Sequence, residues 1–358
     1  MVNQSFRGRA GCWLGLFCGA VGVLGCEPTF DDRNSEILER RVLAVRVTPA
    51  QAKPDQDVKL TALVVEPSGT LEDVPLRWSF CNAAKPVAET NDVSAACLEL
   101  SGDQFQDLGR GISAAGKIPK DACRQFGPDV PQRMAGQAPG RPTDPDSTGG
   151  FYQPVRVIAP NGSGAPILAL AQAGLTCGQP SLTGEQLLDY QKRARNNEHP
   201  QLTNVLVNAD DATPLTLDDG VAEPFTVSAG QRLKLRATWP ACPTESECGD
   251  GVCGQDETAT ACPDDCMQPK GCAGAEVFVY YDPLSRKLVD RRESMRVAWF
   301  AGAGSFEDDH TGRREDEVET SSDGSWTAPK TPGLVHLWVV LRDSRGGVDW
   351  QSYVVNVK

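Results

Sequence analysis

The chain has 358 residues with 35 Gly and 26 Pro, 23% charged and 40% hydrophobic, a turn-rich composition that excludes a long helical array and allows about two domains of ordinary size. Its formal charge is −13, from 48 acidic residues against 35 basic ones, which excludes nucleic acid and anionic lipid headgroups as direct electrostatic partners because both need clustered Lys and Arg. The 13 cysteines are a liability in a reducing compartment and suit an exported protein.

Residues 1–10 are polar and carry Arg7 and Arg9, and residues 11–25 are uncharged and apolar or Gly. That order is the order of a secretory leader, and the apolar run is short for a membrane span. Val23-Leu24-Gly25-Cys26 closes the run. It resembles the lipobox of bacterial lipoproteins, and the resemblance implies cleavage before Cys26, acylation of that cysteine, and a membrane partner reached through the lipid. An ordinary leader that leaves Cys26 a spare thiol is the alternative. Similarity to large Gram-negative lipoproteins points to the cell envelope and its outer membrane. No later stretch approaches eighteen apolar residues.

Loss of Cys12 and Cys18 with the leader leaves ten unmodified cysteines: Cys81, Cys97, Cys123, Cys177, Cys242, Cys248, Cys253, Cys262, Cys266 and Cys272. An even set suits five disulfides. Four fall in the first half of the chain and six in the second, so each half can staple itself, and the first four allow three connectivities.

Residues 26–37 read as a lipidated tether. A first unit, 38–180, begins with Val42-Leu43-Ala44-Val45-Arg46-Val47, continues through Val58-Lys59-Leu60-Thr61-Ala62-Leu63-Val64-Val65, and reaches Leu76-Arg77-Trp78-Ser79-Phe80. Short β-branched runs between Pro, Gly and Asp turns mark an antiparallel sandwich. Residues 82–150 read as a long irregular loop stapled through Cys97 and Cys123. Residues 151–158 and 167–173 supply closing strands. The spacing over residues 42–81 resembles that of bacterial immunoglobulin-like domains.

Thr183-Gly184-Glu185-Gln186 predicts a capping box that opens a linker helix within 181–200. The second unit, 201–358, predicts strands at 205–207, 225–227, 233–239, 277–281 and 295–300, and a final hairpin of 334–341 with 348–357 around Asp343-Ser344-Arg345-Gly346-Gly347. Trp326-Thr327-Ala328-Pro329 again resembles immunoglobulin-like repeats of bacterial surface proteins. The expected architecture is therefore all-β: two tandem immunoglobulin-like sandwiches, a short linker helix, and a small disulfide-rich insertion at 242–272.

That insertion is the one constellation with possible chemistry. Cys248-Gly249-Asp250-Gly251-Val252-Cys253, followed by Glu257, Cys262 and Asp264-Asp265-Cys266, resembles a small cysteine-rich module of exported bacterial proteins. A Cys242–Cys272 bridge would close its neck. Export, an even cysteine count and the absence of His within it favour disulfides over zinc. Asp250, Asp256, Glu257, Asp264 and Asp265 offer hard oxygen ligands for calcium, and a solvated acidic knob accounts for the same residues without a cation.

No His-Glu-x-x-His pair, Gly-x-Ser-x-Gly elbow or phosphate-binding loop is present, so the sequence supplies no catalytic signature. His199, His310 and His336 are scattered and read as structural. The expected function is a non-catalytic surface spacer, adhesion or protein-binding module. Its partner is an envelope protein or a glycan. The alternative is a carbohydrate-binding or accessory subunit of an envelope enzyme, with Trp299, Trp338 and Trp350 as stacking platforms; strand tryptophans more often fill a core.

Overall fold

Short apolar runs interrupted by Pro, Gly and Asp are too brief for stable helices and pair instead as strands. The computed structural model describes residues 34–358 apart from 85–92, 129–149, 162–163, 179–181, 183, 209–212, 221, 244–247, 250–256, 258–259, 267–270 and 283. It builds these runs into two β-sandwiches and one separate hairpin.

The first sandwich contains β1 (Arg41–Thr48), β2 (Gln51–Ala52), β3 (Asp57–Glu66), β4 (Gly69–Thr70), β5 (Arg77–Cys81), β6 (Phe105–Arg110), β7 (Ser113–Lys117), β8 (Tyr152–Ala159) and β9 (Ile167–Leu175). One sheet has β3 between β1 and β7, and the other runs β2-β9-β8-β5-β6. The short helix α1 (Ala122–Gln125) precedes β8, and α2 (Glu185–Arg193) follows β9.

The second sandwich contains β10 (Asn204–Val207), β11 (Thr213–Pro214), β12 (Phe225–Val227) and β13 (Arg232–Thr238). The insertion 242–272 holds α3 (Pro263–Cys266), and the hairpin β14 (Val277–Asp282) with β15 (Lys287–Arg292) follows it. The remaining strands are β16 (Met295–Ala301), β17 (Ser305–Phe306), β18 (His310–Arg313), β19 (Ser321–Thr327), β20 (Gly333–Asp343) and β21 (Val348–Val357). Its sheets run β11-β10-β13-β19-β17 and β12-β21-β20-β16-β18. In each sandwich one short early strand lies parallel to the last strand, β2 on β9 and β12 on β21, while the other pairings are antiparallel. A first strand that divides itself between two sheets in this way is the immunoglobulin-like order.

Each sandwich has its own core. Leu60, Trp78, Phe80, Val155 and Val157 fill the first, and Trp299, Trp326, Leu337 and Tyr353 the second. Most buried indoles keep partners: Trp78 Nε1 donates to the Gly111 carbonyl at 2.8 Å and Trp299 Nε1 to Thr311 Oγ1 at 2.9 Å, whereas Trp239 Nε1 is buried without one among the described residues.

A third core lies between the sandwiches. Ile37, Leu43, Ala44, Leu63 and Val65 pack on Ala298, Phe300, Trp338, Val340 and Val348. The outer face of the β1–β3 sheet therefore covers the outer face of the β16–β20–β21 sheet. Burial on both faces explains why Leu63-Val64-Val65 and Leu337-Trp338-Val339-Val340-Leu341 are unbroken apolar runs rather than alternating ones. Residues 34–358 accordingly form one compact unit.

Three local expectations change. Residues 82–150 include β6 and β7, whose sequences Phe-Gln-Asp-Leu-Gly-Arg and Ser-Ala-Ala-Gly-Lys lack β-branched residues and are held as strands by β5 and β3. Residues 277–281 join a two-stranded hairpin rather than a sandwich sheet. Helix α2 starts at an N-cap Gly184 without a side-chain cap bond; Thr183 lies outside the described residues.

Candidate functional site

The connection from β13 to β16 carries the cysteine-rich insertion, so it emerges from one end of the second sandwich. Cys242 is bonded to Cys272, with Cα atoms 5.6 Å apart, and Cys248 to Cys262, with Cα atoms 5.2 Å apart. Cys266 is also disulfide-bonded. Cys81–Cys97 and Cys123–Cys177 staple the first sandwich, each with Cα atoms 5.7 Å apart. Cys253 lies outside the described residues, as does Cys26.

Cys248, Glu257 and Cys262 converge with ligand atoms within 4.8 Å of one another. Both sulfurs belong to one disulfide, so neither is the thiolate that zinc requires. Asp250 and Asp256 lie outside the described residues, and Asp264 is exposed. Glu257 and Asp265 are buried. Asp265 Oδ2 accepts the Gly249 N–H at 2.5 Å, and Glu257 stands in the field of Arg195. Both buried carboxylates thus have uses inside the protein.

Next to the insertion, the base of the β14–β15 hairpin presents two buried carboxylates to the β20–β21 turn. Arg345 Nη1 lies 3.5 Å from Glu276 Oε2 and 3.5 Å from Glu293 Oε1. Its Nη2 donates to the Arg195 carbonyl at 2.9 Å and to Gln51 Oε1 at 3.4 Å, and its guanidinium sits 4.8 Å from the Phe278 ring centroid. Asp343 organises the turn itself by accepting the N–H groups of Arg345 and Gly347, both at 2.8 Å from Oδ1. Asn197 Nδ2 approaches both Asp343 oxygens at 3.3 Å.

Burial dominates the electrostatics of this cluster. It pushes Glu276 up to about 7 against the pull of Arg345, and it raises Glu293 well above the usual carboxylate range with help from Asp343. Burial likewise raises Asp343. Desolvation pulls Arg345 down, but Glu276, Glu293 and Asp343 together outweigh it and raise the group. The cluster works as a lock: one cation holds the hairpin, the turn, Gln51 of the first sandwich and the chain ahead of β10.

That chain, residues 194–203, is bonded to both sandwiches. Asn197 N–H donates to Gln51 Oε1 at 3.0 Å, and Thr176 Oγ1 donates to Asn196 Oδ1 at 3.2 Å. His199 Nδ1 accepts the Val348 N–H at 3.1 Å, which leaves Nε2 protonated to donate to the Val47 carbonyl at 3.0 Å. Burial, then Arg46, lowers its pKa to about 4. His336 pairs with Asp218 at 2.8 Å, and His310 with its neighbour Asp309 at 2.8 Å. The three histidines do not converge.

Trp78, Trp239, Trp299, Trp326 and Trp338 are buried. Trp350 packs against the third core with Arg46 5.7 Å from its ring centroid. Among the described residues, no Trp presents an open stacking face. The Arg345 cluster has no sequence signature, because its members come from five separate segments and each reads locally as a solvated polar or charged residue. Glu293, alone before the apolar run 295–301, was the nearest thing to a signal.

No family model matches the chain, and no curated protein matches it. Among solved structures it is similar to tandem immunoglobulin repeats of Dlar, at 8% identity and TM-score 0.21 over 89% of this chain and 97% of that one. It is also similar to the Escherichia coli adhesin FdeC, at 12% identity and TM-score 0.18 over 90% of this chain and 64% of that one. A third is a nucleoside hydrolase-related protein from Saccharophagus degradans associated with carbohydrate metabolism, at 14% identity and TM-score 0.19 over 44% of this chain and 26% of that one. The chain thus spans less than two thirds of the last two. Likenesses this slight leave the fold resting on strand order and cores: the chain is a mostly β protein of two immunoglobulin-like sandwiches with disulfide staples.

Proposed function

We propose that this chain is a lipid-anchored protein of the bacterial cell envelope, held at the outer membrane through Cys26, and that its paired sandwiches act as a non-catalytic spacer and protein-binding module. The observation that carries the reading is Val23-Leu24-Gly25-Cys26 at the end of an uncharged run that follows Arg7 and Arg9. Disulfides in the first sandwich and in the insertion of the second agree with an oxidising location. A third core and the Arg345 lock agree with a stiff unit that holds its surface loops at a set distance from the anchor. Half-covered or buried tryptophans weigh against a glycan-stacking role.

Metabolic labelling with radioactive palmitate tests the anchor. The wild-type chain takes label and sediments with membranes, and Cys26→Ser loses both; label retained by Cys26→Ser refutes the anchor. Pull-down from detergent-solubilised envelope, with the wild-type chain as bait, tests the module reading through a reproducible protein partner.

A further inference from the structure

Two of the strand edges that the first sandwich leaves open among the described residues belong to β1 and β9. β1 pairs with β3 alone, and β9 pairs with β8 along its length but meets β2 only at Gly174 and Leu175. Although β1 runs nearby, the outer edge of 167–173 therefore has no strand hydrogen-bonded to it among the described residues. Its sequence, Ile-Leu-Ala-Leu-Ala-Gln-Ala, carries no charge, no proline and no bulge, the devices by which sheets close an edge. A cleft of about 200 Å³ opens between these edges, lined by Val42 to Val45 of β1 and Ala169 to Gln172 of β9 and closed from the second sandwich by Arg342 and the Gly346–Gly347 turn.

The charge at that cleft is positive although the chain as a whole is acidic. Arg342 of β20 stands directly opposite Arg296 of β16, and like charges in that relation repel. Several arginines elsewhere find carboxylates, as in Arg46–Asp349, Arg236–Asp323 and Arg345–Glu293. Among the described residues no carboxylate pairs with Arg296 or Arg342. Arg342 Nη2 donates at 2.7 Å to the carbonyl of Leu43, the extra residue at the β1 bulge between Val42 and Ala44. Burial, then Arg296, lowers the pKa of Arg342. An anion in the cleft would relieve both the desolvation and the repulsion.

We propose that this cleft captures an extended acidic peptide segment of a partner protein, whose main chain pairs with the open β9 edge and whose carboxylate sits on Arg342 and Arg296. Main-chain pairing supplies affinity without regard to sequence, and the arginine pair selects the acidic residue and sets the register. The inference rests on the protein-binding reading above, and it names the chemistry of the partner.

The test uses the full mature chain in detergent micelles and fluorescein-labelled seven-residue peptides of alternating Thr and Val, with Glu, Asp or Gln at the centre and free or amidated C-termini. Fluorescence anisotropy should show saturable binding of the acidic peptides, about tenfold weaker binding of the Gln peptides, and loss on backbone N-methylation. A tenfold step is the weight of one charge-assisted hydrogen bond. Arg342→Gln should abolish the preference for Glu over Gln. Arg296→Gln, at an exposed position, should reduce it without risk to folding. Equal binding of Glu and Gln peptides, or no binding of any acidic peptide, overturns the proposal. Arginine-dependent binding of inorganic phosphate alone also overturns it, by assigning a small-anion site. Palmitate labelling of Cys26 is read separately in each variant, so failure of the peptide site and failure of the anchored-module reading are distinct results.

Discussion

Trp338→Ala separates a molecule with a shared central core from two sandwiches joined by a strap. Trp338 is fully buried, and its indole faces Leu63 and Val65 of the other sandwich rather than the core beneath its own strand. Its Nε1 donates to Thr70 Oγ1 at 2.9 Å, and Thr70 also shares a hydrogen bond with Ser352 at 2.9 Å. Removing a buried Trp costs about 3–5 kcal/mol through lost transfer energy and the cavity left behind. The orphaned Thr70 hydroxyl keeps Ser352 and adds little. The whole loss falls on the inter-sandwich core, which is small beside the cores of the sandwiches themselves. By differential scanning calorimetry the wild-type chain should unfold in one cooperative transition, and Trp338→Ala should resolve into two. Trp299→Ala, in the core of the second sandwich, should instead lower the stability of that sandwich directly. Two independent transitions in the wild type, with Trp338→Ala shifting only the one that belongs to its own sandwich, would refute the shared core.

Arg345→Met leaves Glu276, Glu293 and Asp343 buried without their cation and should cost about 3–5 kcal/mol by urea denaturation, more at pH 8 than at pH 5, where protonation relieves the carboxylates. An equal loss at both pH values would refute the lock. His199, held neutral with its pKa lowered to about 4, contributes stability that is complete above pH 6.5 and is lost as pH falls toward 4, a swing of about 3 kcal/mol. His199→Gln should flatten that limb of the urea midpoint against pH. Glu276 has the opposite sign: its raised pKa of about 7 gives stability present below about pH 4.5 and lost as pH rises through 7, and Glu276→Gln should remove that decline. The double change Cys123→Ala with Cys177→Ala opens a bridge that spans 54 residues and should cost about 4 kcal/mol. Cys248→Ala with Cys262→Ala should leave the melting of both sandwiches in place, because that bridge lies within the insertion. Millimolar calcium should leave the melting temperature unchanged, since Glu257 faces Arg195 and Asp265 serves the Gly249 N–H; a rise of several degrees would assign the insertion a cation.

Much of the strand content was legible because period and composition are local. Val58 to Val65, Leu233 to Thr238 and the hairpin around Asp343-Ser344-Arg345-Gly346-Gly347 carry β-branched residues and turn residues that point the same way as the fold. β6 and β7 were not legible, since Phe-Gln-Asp-Leu-Gly-Arg and Ser-Ala-Ala-Gly-Lys become strands only when β5 and β3 present an open ladder. The unbroken apolar runs at 63–65 and 337–341 did report burial on two faces. A run of that kind says that both faces are covered without saying by what.

The amino-acid sequence by itself determined the oxidised, turn-rich, mostly β character of this protein, and it carries at 23–26 a segment that resembles a lipobox. Each of these follows from residue type and from spacing over a few positions. Tertiary structure alone decided that two sandwiches share a core, that Cys81 joins Cys97 while Cys123 joins Cys177, and that Gln51, Asn197, Glu276, Glu293 and Asp343 meet around Arg345. It also decided that Arg296 and Arg342 stand opposite each other beside an open edge. The physical reason is the same in every case: a local pattern reports whether a side chain wants burial or charge, and only the packing of distant segments chooses the partner that satisfies it.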